Sequence, residues 1–172
     1  MNGVLSTRHL SLDIHALASA LAIDEDNVID SFRDGRVASR FTEHWAEEMF
    51  GVCKYSDTNH PHSDAFILLP DNSTFEVAIR CLTFSGIKFQ ASRHQGAGRT
   101  CSTTHVKNSI RSVDRWIVFD MRSFPKVTAS MLRVALLEEW IDQGHLTIAG
   151  LTAKKFDWLT LPESAAQLQM AV

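Results

Sequence analysis

Asp64-Ala-Phe-Ile-Leu-Leu-Pro-Asp-Asn-Ser-Thr-Phe-Glu-Val-Ala-Ile-Arg80 consists of two short apolar runs on either side of Pro70-Asp71-Asn72-Ser73. Those four residues are a strong turn signal, so the segment predicts a β-hairpin. Asp64 opens the first strand and Glu76 lies inside the second, twelve residues on. A hairpin folds the two positions towards each other, so two carboxylates can converge at one end of a buried sheet. Paired carboxylates at a strand opening suit a hard divalent cation. Asp71 is five residues from Glu76 and reads as a turn former.

Working outward, Val37 to Phe50 predicts a helix with Val37, Phe41, Trp45 and Met49 as its apolar stripe and Gly51 at its end. Val52 to Tyr55 predicts a short strand, followed by a polar His/Pro/Asn loop. Beyond the hairpin, strand character runs to Thr83, Ser85-Gly86 breaks it, and Ile87 to Arg99 reads as loop. Ser102 to Arg111 predicts a helix, and the continuous apolar run Trp116-Ile117-Val118-Phe119 a buried strand. Thr128 is positioned to cap an amphipathic helix, Ala129 to Gln143, closed by Gly144, and a last strand is expected near Leu146 to Ile148. Two helices come first. Ser11 caps one with Ile14, Leu17, Ala18 and Leu21, and Asp24 caps another with Val28, Ile29 and Phe32 inward. This pair loosely resembles a helix-turn-helix.

The order α-β-β-β-α-β from Val37 to Phe119 predicts an α/β (α+β) mixed sheet with helices packed on it. At 172 residues the chain is expected to form one domain. Its parts are an N-terminal helical hairpin (11–35), a core (36–120) and a C-terminal α/β extension (121–172).

The net charge of −3 makes no global argument for nucleic acid, but its distribution does. Val77 to Val113 holds no Asp or Glu, whereas Arg80, Lys88, Arg93, Arg99, Lys107 and Arg111 give it +6. The other 11 basic and 20 acidic residues leave −9 elsewhere. A focused basic strip on an acidic protein suits phosphate tracking. Within it, Gln90, Ser92, Arg93 and Gln95 carry groups used to read base edges, and Gly96-Ala97-Gly98-Arg99 allows close backbone approach to a phosphate. Cys53, Cys81 and Cys101 are an odd number with no disulfide framework, which suggests a reducing, cytoplasmic setting. No apolar run reaches membrane-spanning length, so no membrane association is expected.

Asp64, Glu76 and the α-β-β-β-α-β order together resemble the PD-(D/E)XK, or restriction-endonuclease-like, nucleases over about half of the chain. The resemblance implies a restriction-endonuclease-like αβββαβ core and Mg²⁺-dependent hydrolysis of phosphodiester bonds in double-stranded DNA. It places metal ligands at Asp64, Glu76 and the carbonyl of Val77. It adds Glu43, on the first core helix, to the catalytic set, with Glu47 as the lesser candidate. Cutting both strands implies a homodimer, through the N-terminal helices or the Ala129–Gln143 helix.

The family has lysine two positions after the second acid, and this chain has Ala78 there. Three readings are open. The first is an inactivating Lys-to-Ala replacement, preferred because the surroundings look intact. In the second the function has migrated to Arg80, which shares a strand face with Glu76 and Ala78, or to Lys88. The third is a decayed site that binds nucleic acid without cutting, as a regulatory subunit would. Structure-selective cleavage, as in junction resolvases, is a further alternative. A zinc site from Cys101, His105, His60 and His62 is disfavoured because no Cys-x-x-Cys is present, and Cys53 and Cys81 read as core residues.

Overall fold

The computed structural model describes residues 4–55, 63–90 and 100–161. Along them run β1 (Val4–Ser11), α1 (Ile14–Leu21), α2 (Glu25–Arg33), α3 (Ala38–Phe50), β2 (Cys53–Lys54) and β3 (Ala65–Leu68). There follow β4 (Thr74–Leu82), α4 (Thr103–Arg111), β5 (Arg115–Asp120), β6 (Lys126–Arg133), α5 (Val134–Asp142) and α6 (Ala153–Thr160).

The expected hairpin is β3 and β4, paired Ala65↔Val77 through Leu68↔Thr74. Asn72 takes φ 64°, and Asp71 closes the turn by accepting the Ser73 N–H at 3.0 Å. All six strands form one mixed sheet in the order β1-β6-β5-β4-β3-β2. Only β4 and β5 run parallel, as their connection through α4 requires; every other neighbouring pair is antiparallel. The chain is therefore of mixed α/β class, and its central run α3-β2-β3-β4-α4-β5 has the expected α-β-β-β-α-β order.

Helices cover both faces of the sheet. One core packs α1, α2 and α3 against Val77, Ile79, Ile117, Phe119, Val127 and Ala129. The other packs α4, α5 and α6 against Ala78, Leu82, Trp116, Val118 and Leu132. This explains the unbroken apolar run of β5, which is buried on both faces from Trp116 to Phe119. Each such side chain contributes roughly 1.5–3 kcal/mol by leaving water.

Several elements differ from expectation for identifiable reasons. On α3 the buried face is Ala38, Thr42 and Ala46, while Val37 and Phe41 are exposed. Small residues let the helix sit close to the sheet, and Phe41 and Trp45 turn aside to pack on Phe32 of α2. The cap of α1 is Asp13, not Ser11, because β1 runs to Ser11 and Asp13 then accepts the Ala16 N–H. Residues 129–133, expected in a helix, belong to β6. Val127, Ala129 and Met131 face one core and Leu132 the other, and the strand is held on both edges by β1 and β5. The helix begins only at Val134. Residues 146–148 form no strand; Leu146 donates its N–H to Trp140 O, and Thr147–Gly150 is a tight turn. Two elements were not expected at all, the edge strand β1 and helix α6. Because β6 and β1 continue the core sheet, the three parts of the chain share one framework.

Candidate active site on strand β4

Strand alternation places Glu76, Ala78, Arg80 and Leu82 on the α4–α6 face of β4, with Val77, Ile79 and Cys81 on the other. Asp64 stands one residue before β3. Its N–H donates to Val77 O at 2.9 Å. Its Oδ2 accepts the Ile79 N–H at 2.7 Å and Nη1 of Arg80 at 2.9 Å. Arg80 Nη1 also donates to Ile79 O at 2.6 Å, and its guanidinium lies 5.3 Å from the centroid of the Trp116 ring. An ion pair only 26% and 31% exposed, with a backbone donor on the same oxygen, is held more firmly than a pair of free surface charges.

The β3–β4 register ends at Ala65↔Val77, and Asp64, whose N–H also reaches Val77 O, stands at the end of that ladder. Glu76 faces Phe66, about 7 Å further along the strand. Glu76 has partners of its own. Its N–H donates to Asp114 Oδ2 and its carbonyl accepts the Asp114 N–H, each at 2.8 Å. The Tyr55 hydroxyl donates to Glu76 Oε2, and the Tyr55 ring packs 5.1 Å from that of Phe66. Burial, and then this bond to Glu76, push the Tyr55 hydroxyl above its ordinary range.

Glu43 joins this neighbourhood from α3. Burial raises its carboxyl above the ordinary value of 4.5, and the charge of Asp64 raises it further. Glu47, one turn further along α3, pairs with Lys54 at 3.1 Å. Ala78 is 1% exposed and stands across the β4–β5 ladder from Trp116. A lysine there would have to bring its ammonium out through a packed core.

The basic strip is acid-free in sequence but not in space. Lys107 pairs with Asp142 at 2.8 Å and Arg111 pairs with Glu138, both acids coming from α5. Lys88 is exposed and forms no ion pair among the described residues. Gln90 is 3% exposed and donates to Ile148 O at 3.2 Å, so its amide is turned into the fold instead of being offered to a groove. Ser92, Arg93, Gln95 and Arg99, with the Gly96–Gly98 segment, lie outside the described residues, as do His60 and His62. Cys53 is exposed on the short edge strand β2, contrary to its reading as core. The apolar residues of α5, Leu137, Trp140 and Ile141, are buried within the chain.

Sequence reasoning missed Tyr55, Asp114 and Trp116. Tyr55 is the chain's single tyrosine and stands just before the hairpin, which was the available signal. The other two depend on the parallel β4–β5 pairing, which no local pattern announces.

Among the described residues no group of three or more His, Cys, Asp or Glu side chains could hold a metal ion. Mg²⁺, however, is commonly bound by one or two carboxylates, waters and substrate phosphate. Asp64 before β3 and Glu76 on β4 offer two carboxylates to that shared mode, each with one oxygen already engaged; they do not make an all-protein cage. No described helix is long and apolar enough to cross a membrane. Comparison with protein-family models, curated proteins and solved structures finds no match.

Proposed function

We propose that this chain is a DNA endonuclease of restriction-endonuclease-like type, with Arg80 in the role expected of a lysine at position 78. The observation that carries the reading is the 2.9 Å pair between Asp64, at the entry to β3, and Arg80, which shares a β4 face with Glu76. The α3-β2-β3-β4-α4-β5 order around it supports the same reading. Asp64, Glu76 and the Val77 carbonyl would hold Mg²⁺, which when bound supplies an acidified water and neutralises charge on the phosphate.

The chain's own residues then have separate tasks. Arg80 orients Asp64 and has further N–H donors for a phosphate oxygen. It is always protonated, so it stabilises charge and accepts no proton. Tyr55 holds Glu76 in place. Glu43, whose carboxyl is raised by burial and then by Asp64, would add a third acid from α3. Double-strand cleavage requires two such sites, hence a homodimer on double-stranded DNA in the cytoplasm.

A second reading, a non-catalytic DNA-binding subunit, is favoured by the engaged Asp64 oxygen and by Ala78 in place of the family's lysine. Incubation with supercoiled plasmid and Mg²⁺ separates the two. The endonuclease reading expects cutting that EDTA stops and that Asp64→Asn abolishes. DNA retardation without cutting would replace it with the second reading.

A further inference from the structure

The sequence segments Thr83-Phe84-Ser85-Gly86-Ile87 and Thr147-Ile148-Ala149-Gly150-Leu151 fold into two matching turns clasped together. In each turn the Thr and Gly exchange both backbone hydrogen bonds, at 3.2 and 2.9 Å. Ile87 and Leu151 then join the turns through two bonds of 2.9 Å. The clasp needs both glycines. Gly86 and Gly150 have φ of 101° and 99°, and a Cβ at either would lie 2.3 Å from the carbonyl oxygen of the opposing turn. The backbone is thus held tightly, yet it presents Phe84 at 69% exposure.

Two clefts flank that turn and share Ser85 as a wall. One, of about 220 Å³, has Arg80 and Lys88 among its lining residues. The other, of about 350 Å³, is lined by Phe84, Arg33, Asp30 and Asp34. Nε of Arg33 is buried and has no hydrogen-bond partner among the described residues. A cationic cleft, an exposed aromatic ring on a rigid turn and carboxylate acceptors beyond it suit the phosphate, the face of the base and the edge of the base of a nucleotide.

We propose that the Thr83–Gly86 turn is a binding site for an unpaired nucleotide of a DNA strand. The phosphate lies between Arg80 and Lys88, the base stacks on Phe84, and Asp30 and Asp34 accept from an exocyclic amino group. This deepens the nuclease reading, on which it rests, by naming unpaired or flipped-out bases as part of what the protein engages. Base–aromatic stacking is sequence-tolerant and sensitive to removal of the ring.

Fluorescence anisotropy in EDTA with a labelled oligo(dC) and a blunt duplex tests it. Phe84→Ala is expected to weaken oligo(dC) binding roughly five-fold or more and to leave duplex binding within about two-fold. Lys88→Gln is expected to weaken both and to lower the salt slope by about one. Oligo(dT), which lacks the amino group, is expected to bind more weakly than oligo(dC). Oligo(dC) affinity unchanged by Phe84→Ala overturns the site, and equal affinity for the two oligomers overturns its base-reading half. Deoxycytidine monophosphate that displaces the strand at equal nucleotide concentration also overturns the proposal, assigning the cleft to free nucleotide. Phe84-dependent binding without Mg²⁺-dependent cutting would remove the nuclease reading and keep this site; cutting with Phe84-independent binding would do the reverse.

Discussion

Asp64→Ala removes the acceptor for two donors at once. The Ile79 N–H, bonded at 2.7 Å, is left without a partner, which costs roughly 1–3 kcal/mol for a buried donor. The Arg80 guanidinium loses a partly exposed ion pair, worth about 0.5–1 kcal/mol after solvent screening. Together these predict about 1.5–4 kcal/mol of lost stability at neutral pH. With roughly 2.1 cal/mol/K of unfolding entropy per residue, a 172-residue chain would melt about 4–11 °C lower. Asp64→Asn keeps a carbonyl oxygen for Ile79 and is expected to lose about half as much. A double-mutant cycle with Arg80→Met should return a coupling of about 0.5–1 kcal/mol. Differential scanning calorimetry with parallel urea titrations measures all of this. A melting temperature for Asp64→Ala within 2 °C of the parent (about 0.7 kcal/mol), or a coupling of zero, would refute the pair as a structural unit.

Ala78→Lys is expected to lose ~3 kcal/mol or more, because the position is 1% exposed within a packed core. A fully stable Ala78→Lys protein that gains cleavage would restore the reading of Ala78 as an inactivating replacement. Glu43→Gln should raise the melting temperature at pH 7. Burial and then Asp64 raise the folded-state carboxyl above 4.5, so ionising it disfavours the fold. That penalty is absent below pH 4.5, where both states are protonated, and is complete once pH has risen through the folded value, so the gain should fade on acidification. Thiol labelling should distinguish the cysteines. Cys53 is exposed and reacts in the native protein. Burial pushes the Cys81 thiol up to about 11, so Cys81 is labelled only on unfolding.

The hairpin was legible because Pro70-Asp71-Asn72-Ser73 separates two apolar runs, and β5 because its run has no polar gap. The boundary at Arg133 was not legible. Of Thr128 to Leu132 only Thr128 is a typical strand residue, while Ala129, Met131 and Leu132 favour helix and extend the stripe of the helix that follows; only pairing with β1 and β5 makes the segment a strand. The small-residue face of α3 was hidden for a related reason, since Phe41 and Trp45 carry the louder apolar signal but pack on α2. At the candidate site the shared face of Glu76, Ala78 and Arg80 followed from strand alternation alone. Whether Arg80 reaches Asp64 did not, because it depends on register across two strands. Charge along the chain was the weakest guide. Lys107 and Arg111 find Asp142 and Glu138 roughly thirty residues away, after α4 and α5 come together.

The most direct measurement is the rate of plasmid cleavage in Mg²⁺ by the parent protein, Arg80→Lys and Arg80→Ala. If Arg80 serves the reaction, the parent cuts, Arg80→Lys retains measurable cutting, and Arg80→Ala loses roughly a hundred-fold or more, as expected when a charge-stabilising group is removed. Equal rates for the parent and Arg80→Ala, with both proteins folded, would contradict the assignment of the site to Asp64 and Arg80.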